Sequence, residues 1–74
     1  MGASRFEKAA QIVAKVIRER RIAQGKTQED IAHTSGLSLR HYQKIEAGLG
    51  NPTLQSLILV TDALGCSLGE IFPF

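Results

Sequence analysis

Residues 27–48 read TQEDIAHTSGLSLRHYQKIEAG. Two hydroxyl residues, Thr27 and Ser38, each precede a run with helical apolar spacing, and serine and threonine are preferred at helix N-caps. Gly36 lies between the two runs and Gly48 follows the second, and glycine commonly ends a helix because it adopts a left-handed conformation. The stretch therefore predicts two short helices joined by a tight glycine turn, which is a helix-turn-helix.

The rest of the chain extends this pattern to five helices and shows no strand alternation. The first helix is predicted to begin at Ser4, which opens a capping-box pattern, and to end before Gly25. A fourth helix is predicted over about residues 54–64, and a fifth of one to two turns after Ser67. The helices of the central stretch cover about residues 28–35 and 39–47. The sequence therefore predicts an all-α fold of five helices in a single domain, residues 1–74.

Apolar residues at helical spacing predict the buried face of each helix. The predicted core residues are Phe6, Ala10, Val13 and Ile17 on the first helix, Ile31 and Ala32 on the second, Tyr42 and Ile45 on the third, and Leu54, Leu57, Ile58, Thr61 and Leu64 on the fourth. The third helix then presents a different set outward, namely Leu39, Arg40, His41, Gln43 and Lys44. One helix fits the major groove of B-form DNA, where Arg and Lys donate to guanine or to phosphate.

The charge of the chain is unevenly distributed. The net charge is +2, yet all nine Lys and Arg residues lie within residues 1–44. The charged residues within 45–74 are all acidic. A one-sided basic surface is typical of proteins that bind a polyanion. The one cysteine, Cys66, excludes an internal disulfide, and no Cys/His cluster has metal-ligand spacing. The sequence shows no signal peptide and no membrane-spanning run, so we expect a cytoplasmic protein. We also expect no cofactor, no metal and no small-molecule ligand.

Several motifs occur together in an order that one family of DNA-binding proteins shows. They are Ile17-Arg18 and Arg21, then the segments 25–32, 36–38, 45–48, 51–54 and 63–72. Over about residues 16–72 the chain resembles the lambda-repressor-like (Cro/cI, or XRE) family of bacterial and phage helix-turn-helix regulators. Residues 1–15 are then an N-terminal extension of the first helix. The resemblance implies a transcriptional regulator that binds double-stranded DNA sequence-specifically.

The resemblance also implies roles for individual residues. Gln28 would contact the DNA backbone and brace the third helix, while Leu39 and Arg40 would read bases and Lys44 would lie one turn further on. Thr27 and Ser38, at the N-termini of the second and third helices, would contact phosphate, because helix N-termini favour anions. The full set of predicted DNA-binding residues is Thr27, Gln28, Ser38, Leu39, Arg40, His41, Gln43 and Lys44. For His41, a phosphate contact and a plain surface position both stay open.

Two further positions follow from the same resemblance. In the family an Arg of the first helix often pairs with a Glu near the end of the third, which predicts an ion pair between Arg21 and Glu46. The chain also departs from the family pattern. Leu39 replaces a polar residue, so its contact is expected to be apolar, for example to a thymine methyl group. Lys26 stands where the family usually has an apolar residue, and the loop 48–51 lacks basic residues.

Apolar residues that the core does not need remain in the acidic C-terminal half. A domain of 74 residues is marginally stable by itself, and oligomerisation is one way to gain stability. We therefore predict a two-fold homodimer on a palindromic operator, with recognition helices roughly 34 Å apart. The predicted interface residues, on the fourth and fifth helices and the tail, are Leu59, Ile71, Phe72 and Phe74.

Two other classes of function have to be weighed against a regulator. A protein-interaction module, such as an antitoxin or coactivator subunit, stays open because the loop after the third helix is not basic and the C-terminal half is apolar. Its binding would depend little on salt, whereas phosphate contacts give a steep dependence. An enzyme is not predicted, because two His, one Cys and scattered acids show no nucleophile–base spacing and a small helical domain leaves little room for a pocket.

Overall fold

The structure, a computed structural model, describes residues 4–74 and is built from helices. Four are α-helices: α1 (Arg5–Ala23), α2 (Gln28–Ser35), α3 (Leu39–Glu46) and α4 (Leu54–Leu64). A short 3₁₀ helix, Leu68–Ile71, follows α4. No strand occurs among these residues, and none of their helices has the length and apolar character needed to cross a membrane. Residues 1–3, part of the predicted domain, lie outside the described part of the chain.

The prediction of a fifth α-helix is wrong, because the segment after α4 forms only the 3₁₀ helix Leu68–Ile71. Helix nucleation fixes several residues for a single hydrogen bond, so a very short segment does not readily become an α-helix. Here Gly65 and Pro73 bound the segment on either side, and Gly69 within it disfavours helix further. The all-α class is confirmed, with four α-helices in residues 4–74.

Side-chain caps determine where the α-helices begin. The hydroxyl oxygens of Ser4, Thr27, Ser38 and Thr53 each accept a hydrogen bond from the backbone N–H three residues ahead. At α2 the cap is reciprocal, because the Thr27 N–H donates to the Asp30 carboxylate at 2.8 Å. The hydrogen bonds from the Thr27 backbone and side chain lower the pKa of Asp30. The predicted starts of α2, α3 and α4 are confirmed.

The turn between α2 and α3 depends on Gly36. Its φ of 79° lies in the left-handed region, which side-chain-bearing residues rarely adopt. No atom lies within 4 Å of the position where a Cβ would stand, so the requirement for glycine is conformational and not steric. At the other end, α3 stops at Glu46 and Ala47 is its C-cap, one residue earlier than predicted.

The core lies where the helices meet. α2 packs against both α3 and α4, α1 packs against α3, and the 3₁₀ helix packs against α1 and α4. The buried apolar residues are Val13, Ala14, Ile17, Ile31, Ala32, Tyr42, Ile45, Leu57, Val60, Ala63, Leu64 and Ile71. Because α1 and α2 cover the inner side of α3, the opposite side of α3 is left facing solvent.

Three residues predicted for the core are exposed instead. Phe6 is 51% exposed, Leu54 62% and Ile58 41%. Phe6 lies in the first turn of α1, where residues 4–8 are all exposed. On α4 the buried face is centred on Leu57 and Val60, so Leu54 and Ile58, four residues apart on one ridge, lie at its edge. These side chains form apolar surface outside the core.

Candidate nucleic-acid interface

The outer face of α3 carries a set of polar and basic side chains. Tyr42, Ile45 and Glu46 are buried against the body of the protein. The exposed residues of α3 are Leu39, Arg40, His41, Gln43 and Lys44. Ser38, Arg40, His41 and Lys44 together line a shallow cleft of about 260 Å³. The structure thus brings these four predicted DNA-binding residues together on one side of the molecule.

Two different surfaces border this face of α3. On one side, His41 and Lys44 line a second cleft with the α3–α4 loop, residues 49–52, which contains no charged side chain. On the other side, Gln43 approaches the start of α2, where its Nε2 donates to Oε1 of Gln28 at 3.2 Å. Arg40 and Lys44 therefore lie between a neutral loop and a pair of glutamines.

The N-termini of α2 and α3 flank the same surface. Thr27 and Ser38 are both exposed, and each uses its hydroxyl oxygen to accept a backbone hydrogen bond of its own helix. The positive end of a helix dipole attracts anions, and the donor capacity of a hydroxyl is not used in capping. Ser38 is therefore suited to a phosphate group, since the first turn of α3 has no acidic residue. At Thr27 the hydroxyl can still donate, but the positive end of α2 already faces the carboxylates of Glu29 and Asp30.

Beneath α3, a buried carboxylate joins three elements. The Nε and Nη2 of Arg21 donate to the two oxygens of Glu46 at 2.9 and 2.7 Å. Glu46 is 3% exposed and Arg21 13%. The Tyr42 hydroxyl donates to Oε2 of Glu46, and the Nε2 of Gln28 donates to Oε1 at 3.2 Å. We call these four residues the Glu46 cluster, which ties α1 and α2 to the inner side of α3.

Protonation within the Glu46 cluster follows from these contacts. Burial by itself raises the pKa of Glu46, but hydrogen bonds from Arg21, Tyr42 and Gln28 outweigh it and leave the pKa below its ordinary value. Burial, followed by the hydrogen bond to Glu46, raises the pKa of Tyr42. The hydrogen bond to Glu46 raises the pKa of Arg21. At neutral pH the cluster therefore holds a charged carboxylate, a charged guanidinium and a neutral phenol.

The acid stability of the fold should reflect the lowered pKa of Glu46. A carboxyl whose pKa is depressed on folding contributes stability above its unfolded pKa of about 4.3, and loses it as pH falls through the folded value. We expect the urea midpoint, measured at several pH values between 7 and 2.5, to decrease once the pH is below about 4.3. In Glu46→Gln, which has no carboxyl there, the fall should be shallower. Parallel curves for the two proteins would contradict the assignment.

Sequence reasoning missed some members of this arrangement. Tyr42 was predicted as a core residue only, although its spacing of four from Glu46 on one helix indicates that the two side chains can meet. Arg18, whose Nη1 donates to the Glu46 carbonyl at 3.4 Å, was not given that role. The contact between Gln28 and Gln43 depends on how α2 crosses α3, and no sequence signal indicates it.

Comparison with known proteins places the fold in a wider group. The helix-turn-helix family model matches residues 17–71, close to the predicted 16–72. A transcriptional repressor of the cryptic phage CTXphi, RstR from Vibrio cholerae, is 43% identical over 51 residues. That similarity covers 69% of this chain and 46% of RstR, so the chain spans about half the length of this relative.

Solved structures show the same fold. The restriction-modification controller protein C.AhdI from Aeromonas hydrophila is 30% identical, with a TM-score of 0.82 over 85% of this chain and 96% of that one. The wild-type controller protein C.Esp1396I is 33% identical, with a TM-score of 0.80 over 95% of this chain and 87% of that one. These relatives are named as repressors or controllers and not as enzymes, in agreement with the prediction.

Proposed function

The chain belongs to the helix-turn-helix family of DNA-binding transcriptional regulators, and we propose that it binds a specific double-stranded DNA sequence with α3 in the major groove. The observation that carries the proposal is the exposed face of α3. Its basic side chains project from a helix whose inner side is fixed by the Glu46 cluster, and fixed orientation is what direct reading of base edges requires. The domain that binds is the single unit described by α1 to the 3₁₀ helix.

The predicted DNA-binding residues other than Gln43 have the following chemical roles in the proposal. Arg40 donates to guanine O6 and N7, and Lys44 donates to guanine or to phosphate. Leu39 contacts a thymine methyl group. Thr27, Gln28, Ser38 and His41 contact the phosphate backbone and set the register of the protein on DNA.

We propose that the regulator acts as a homodimer. Phe72 is 37% exposed and Phe74 72%, and their ring centroids lie 6.3 Å apart. Phe72 also lines an apolar groove of about 250 Å³ with Phe6, Leu49 and Leu54, which are exposed as well. A second copy that covers this surface would remove several large apolar side chains from water. A two-fold dimer presents two α3 helices to a palindromic operator.

The other two residues predicted for the interface are less accessible. Ile71 is completely buried within the protomer, because it belongs to the 3₁₀ helix that packs against α1 and α4, so we omit it from the interface. Leu59 is half-buried, so only part of its side chain is available to a partner.

The double variant Phe72→Ala/Phe74→Ala should weaken the dimer. Light scattering after size exclusion at about 100 µM should give the dimer mass for the wild type and a mass nearer the monomer for the variant. Burial of a fully exposed aromatic side chain contributes roughly 1.5–3 kcal/mol. Phe74, which is 72% exposed, can gain most of that and Phe72, which is 37% exposed, a smaller part. Ile22→Ala, which removes an exposed apolar residue of α1 outside the groove, is the matched control. A wild type that is monomeric at this concentration would contradict the proposal.

The regulator is proposed to act at a promoter, because the relative RstR is named as a transcriptional repressor. A bound dimer blocks or assists polymerase by its position on the DNA, and the similarity to a phage repressor favours repression. Such a protein works in the cytoplasm, where bacterial and phage promoters are transcribed.

The proposed function is tested by fluorescence anisotropy. The protein is titrated into a labelled duplex of its own upstream region and into a scrambled duplex, each at two salt concentrations. We expect tighter binding to the upstream region and a steep loss of affinity with salt, because phosphate contacts release counterions. No binding to either duplex at micromolar protein and low salt would contradict DNA binding.

A protein-interaction module is the second candidate, and the apolar groove beside Phe72 favours it. In that case the groove binds an apolar segment of another protein and α3 has no nucleic-acid ligand. Binding of that kind depends weakly on salt, so the same two salt concentrations separate the candidates. The exposed basic face of α3 has no role in this second candidate, which is why we place it after DNA binding.

A further inference from the structure

We propose that Gln43 determines specificity at one base pair by reading adenine with its side-chain amide, whose orientation Gln28 fixes. This inference rests on the proposed DNA-binding function, and it adds which base the α2-facing edge of α3 recognises. It is carried by the chain of hydrogen bonds that leads from buried Glu46 through Gln28 to Gln43.

The direction of this series of hydrogen bonds is determined at its buried end, at Glu46. An ionised carboxylate accepts hydrogen bonds and donates none, so Gln28 must turn its Nε2 toward Oε1 of Glu46, at 3.2 Å. The Oε1 of Gln28 then faces α3. Gln43 must in turn present its Nε2 to that oxygen, also at 3.2 Å. The opposite amide orientation in either glutamine would place two oxygen acceptors against each other.

The same hydrogen bonds leave defined groups of the Gln43 side chain available to a ligand. Its Oε1 accepts no hydrogen bond from residues 4–74, and one of its two N–H groups is not used by Gln28. The side chain is exposed and stands next to Lys44 on the face proposed to enter the major groove. Leu39, one turn earlier on the same side of α3, has no polar atom that could replace Gln43 as the partner of Gln28.

The major groove contains few groups that match an outward amide oxygen. Only adenine N6 and cytosine N4 donate there, whereas guanine and thymine present acceptor oxygens. Adenine also offers N7 to the second N–H of Gln43, and cytosine has no such acceptor. A glutamine fixed in this orientation is therefore matched to adenine at two atoms, and guanine O6 would face its oxygen.

The test begins with a preferred duplex selected from a randomised library by the wild-type protein. Anisotropy titrations then compare that duplex with duplexes that carry one changed base pair each, for the wild type and for Gln43→Ala. We expect one adenine position at which guanine, or purine without the N6 amino group, weakens wild-type binding roughly 5- to 150-fold. In Gln43→Ala that position should be indifferent, while preferences at the other positions stay as in the wild type.

Two further variants separate reading from positioning. Gln43→Glu presents only acceptor oxygens, so its preference at the same position should change from adenine to cytosine. Gln28→Ala leaves Gln43 in place and frees its amide to rotate, so guanine should become acceptable there through donation to O6. Unchanged melting curves for the Gln43 variants would show that the fold is retained, as the exposure of this residue leads us to expect.

The outcomes separate failure of this inference from failure of the proposed DNA-binding function. If the wild type selects a sequence and Gln43→Ala keeps the same preference at every position, the inference is overturned and DNA binding stands. If Gln43→Ala changes one position but Gln28→Ala does not relax it, the orientation by Gln28 is overturned. If the wild type binds no duplex in a salt-dependent way, both the inference and the proposed function fail.

Discussion

Replacing Glu46 with alanine is expected to lower the free energy of unfolding by about 3 kcal/mol, the largest stability effect predicted for a single polar residue of this protein. The substitution leaves the Arg21 guanidinium and the Tyr42 hydroxyl without the acceptor to which both donate. Breaking a buried pair from one side costs about 3–5 kcal/mol, because the remaining charge stays desolvated. Arg21 retains a little contact with water, so we expect the lower end of that range.

Thermal unfolding followed by circular dichroism measures this effect. For a domain of this size, about 3 kcal/mol corresponds to a melting temperature roughly 12–24 °C lower. Glu19→Ala removes an exposed carboxylate from α1 and is the matched control, for which we expect less than about 0.5 kcal/mol. The double variant Arg21→Ala/Glu46→Ala should be more stable than the sum of the single effects predicts, because it leaves no unpaired charge. Additive effects would contradict the ion pair's role.

Loss of Glu46 should also reduce DNA affinity in the variants that still fold at low temperature. The Glu46 cluster fixes the inner side of α3 to α1 and α2, and the residues proposed to read DNA lie on the outer side of the same eight-residue helix. A small rotation of α3 would displace Arg40 and Lys44 together. Stability and recognition therefore depend on the same buried carboxylate.

The starts of the helices could be predicted because their signals are local. A hydroxyl at Thr27, Ser38 or Thr53 caps the backbone three residues ahead, and that geometry involves no distant part of the chain. Gly36 likewise fixes the turn through its own backbone conformation. These features were sufficient to place α2 and α4 at their observed bounds and α3 within one residue.

The burial of individual apolar residues could not be predicted in the same way. Spacing along α4 assigned Leu54 and Ile58 to the core, yet the face that α2 actually covers is centred on Leu57 and Val60. Helical periodicity gives the set of faces that a helix has, and tertiary packing selects one of them. Ile71 shows the converse, because a residue predicted for an interface is completely buried inside the protomer.

The candidate site divides along the same line. Residues that face outward on α3 follow from the buried positions of Tyr42 and Ile45, so periodicity was enough to name them. The partnership of Gln28 with Gln43 joins two helices at their crossing, and neither residue indicates the other in the sequence. The direction in which a glutamine amide points is set by hydrogen bonds in the folded protein, and the sequence motif does not indicate it.

The double variant Arg40→Ala/Lys44→Ala is expected to show the largest loss of DNA affinity, at least roughly 100-fold on the preferred duplex at moderate salt. A bidentate Arg contributes about 1–3 kcal/mol of discrimination, and each lost phosphate contact lowers the affinity for every sequence. Both side chains are exposed, so the melting temperature should change little. Anisotropy on the preferred and scrambled duplexes at several salt concentrations measures affinity, specificity and salt slope together.

The control for this variant must remove the same charge elsewhere. Lys8→Ala/Lys15→Ala does so, since both lysines are exposed, lie seven residues apart on one face of α1, and belong to the helix that packs against the inner side of α3. If long-range attraction of a basic protein to DNA explained the binding, the two double variants would lose affinity equally. If α3 enters the major groove, only Arg40→Ala/Lys44→Ala should lose its preference for the specific duplex, because the control keeps every residue proposed to touch a base.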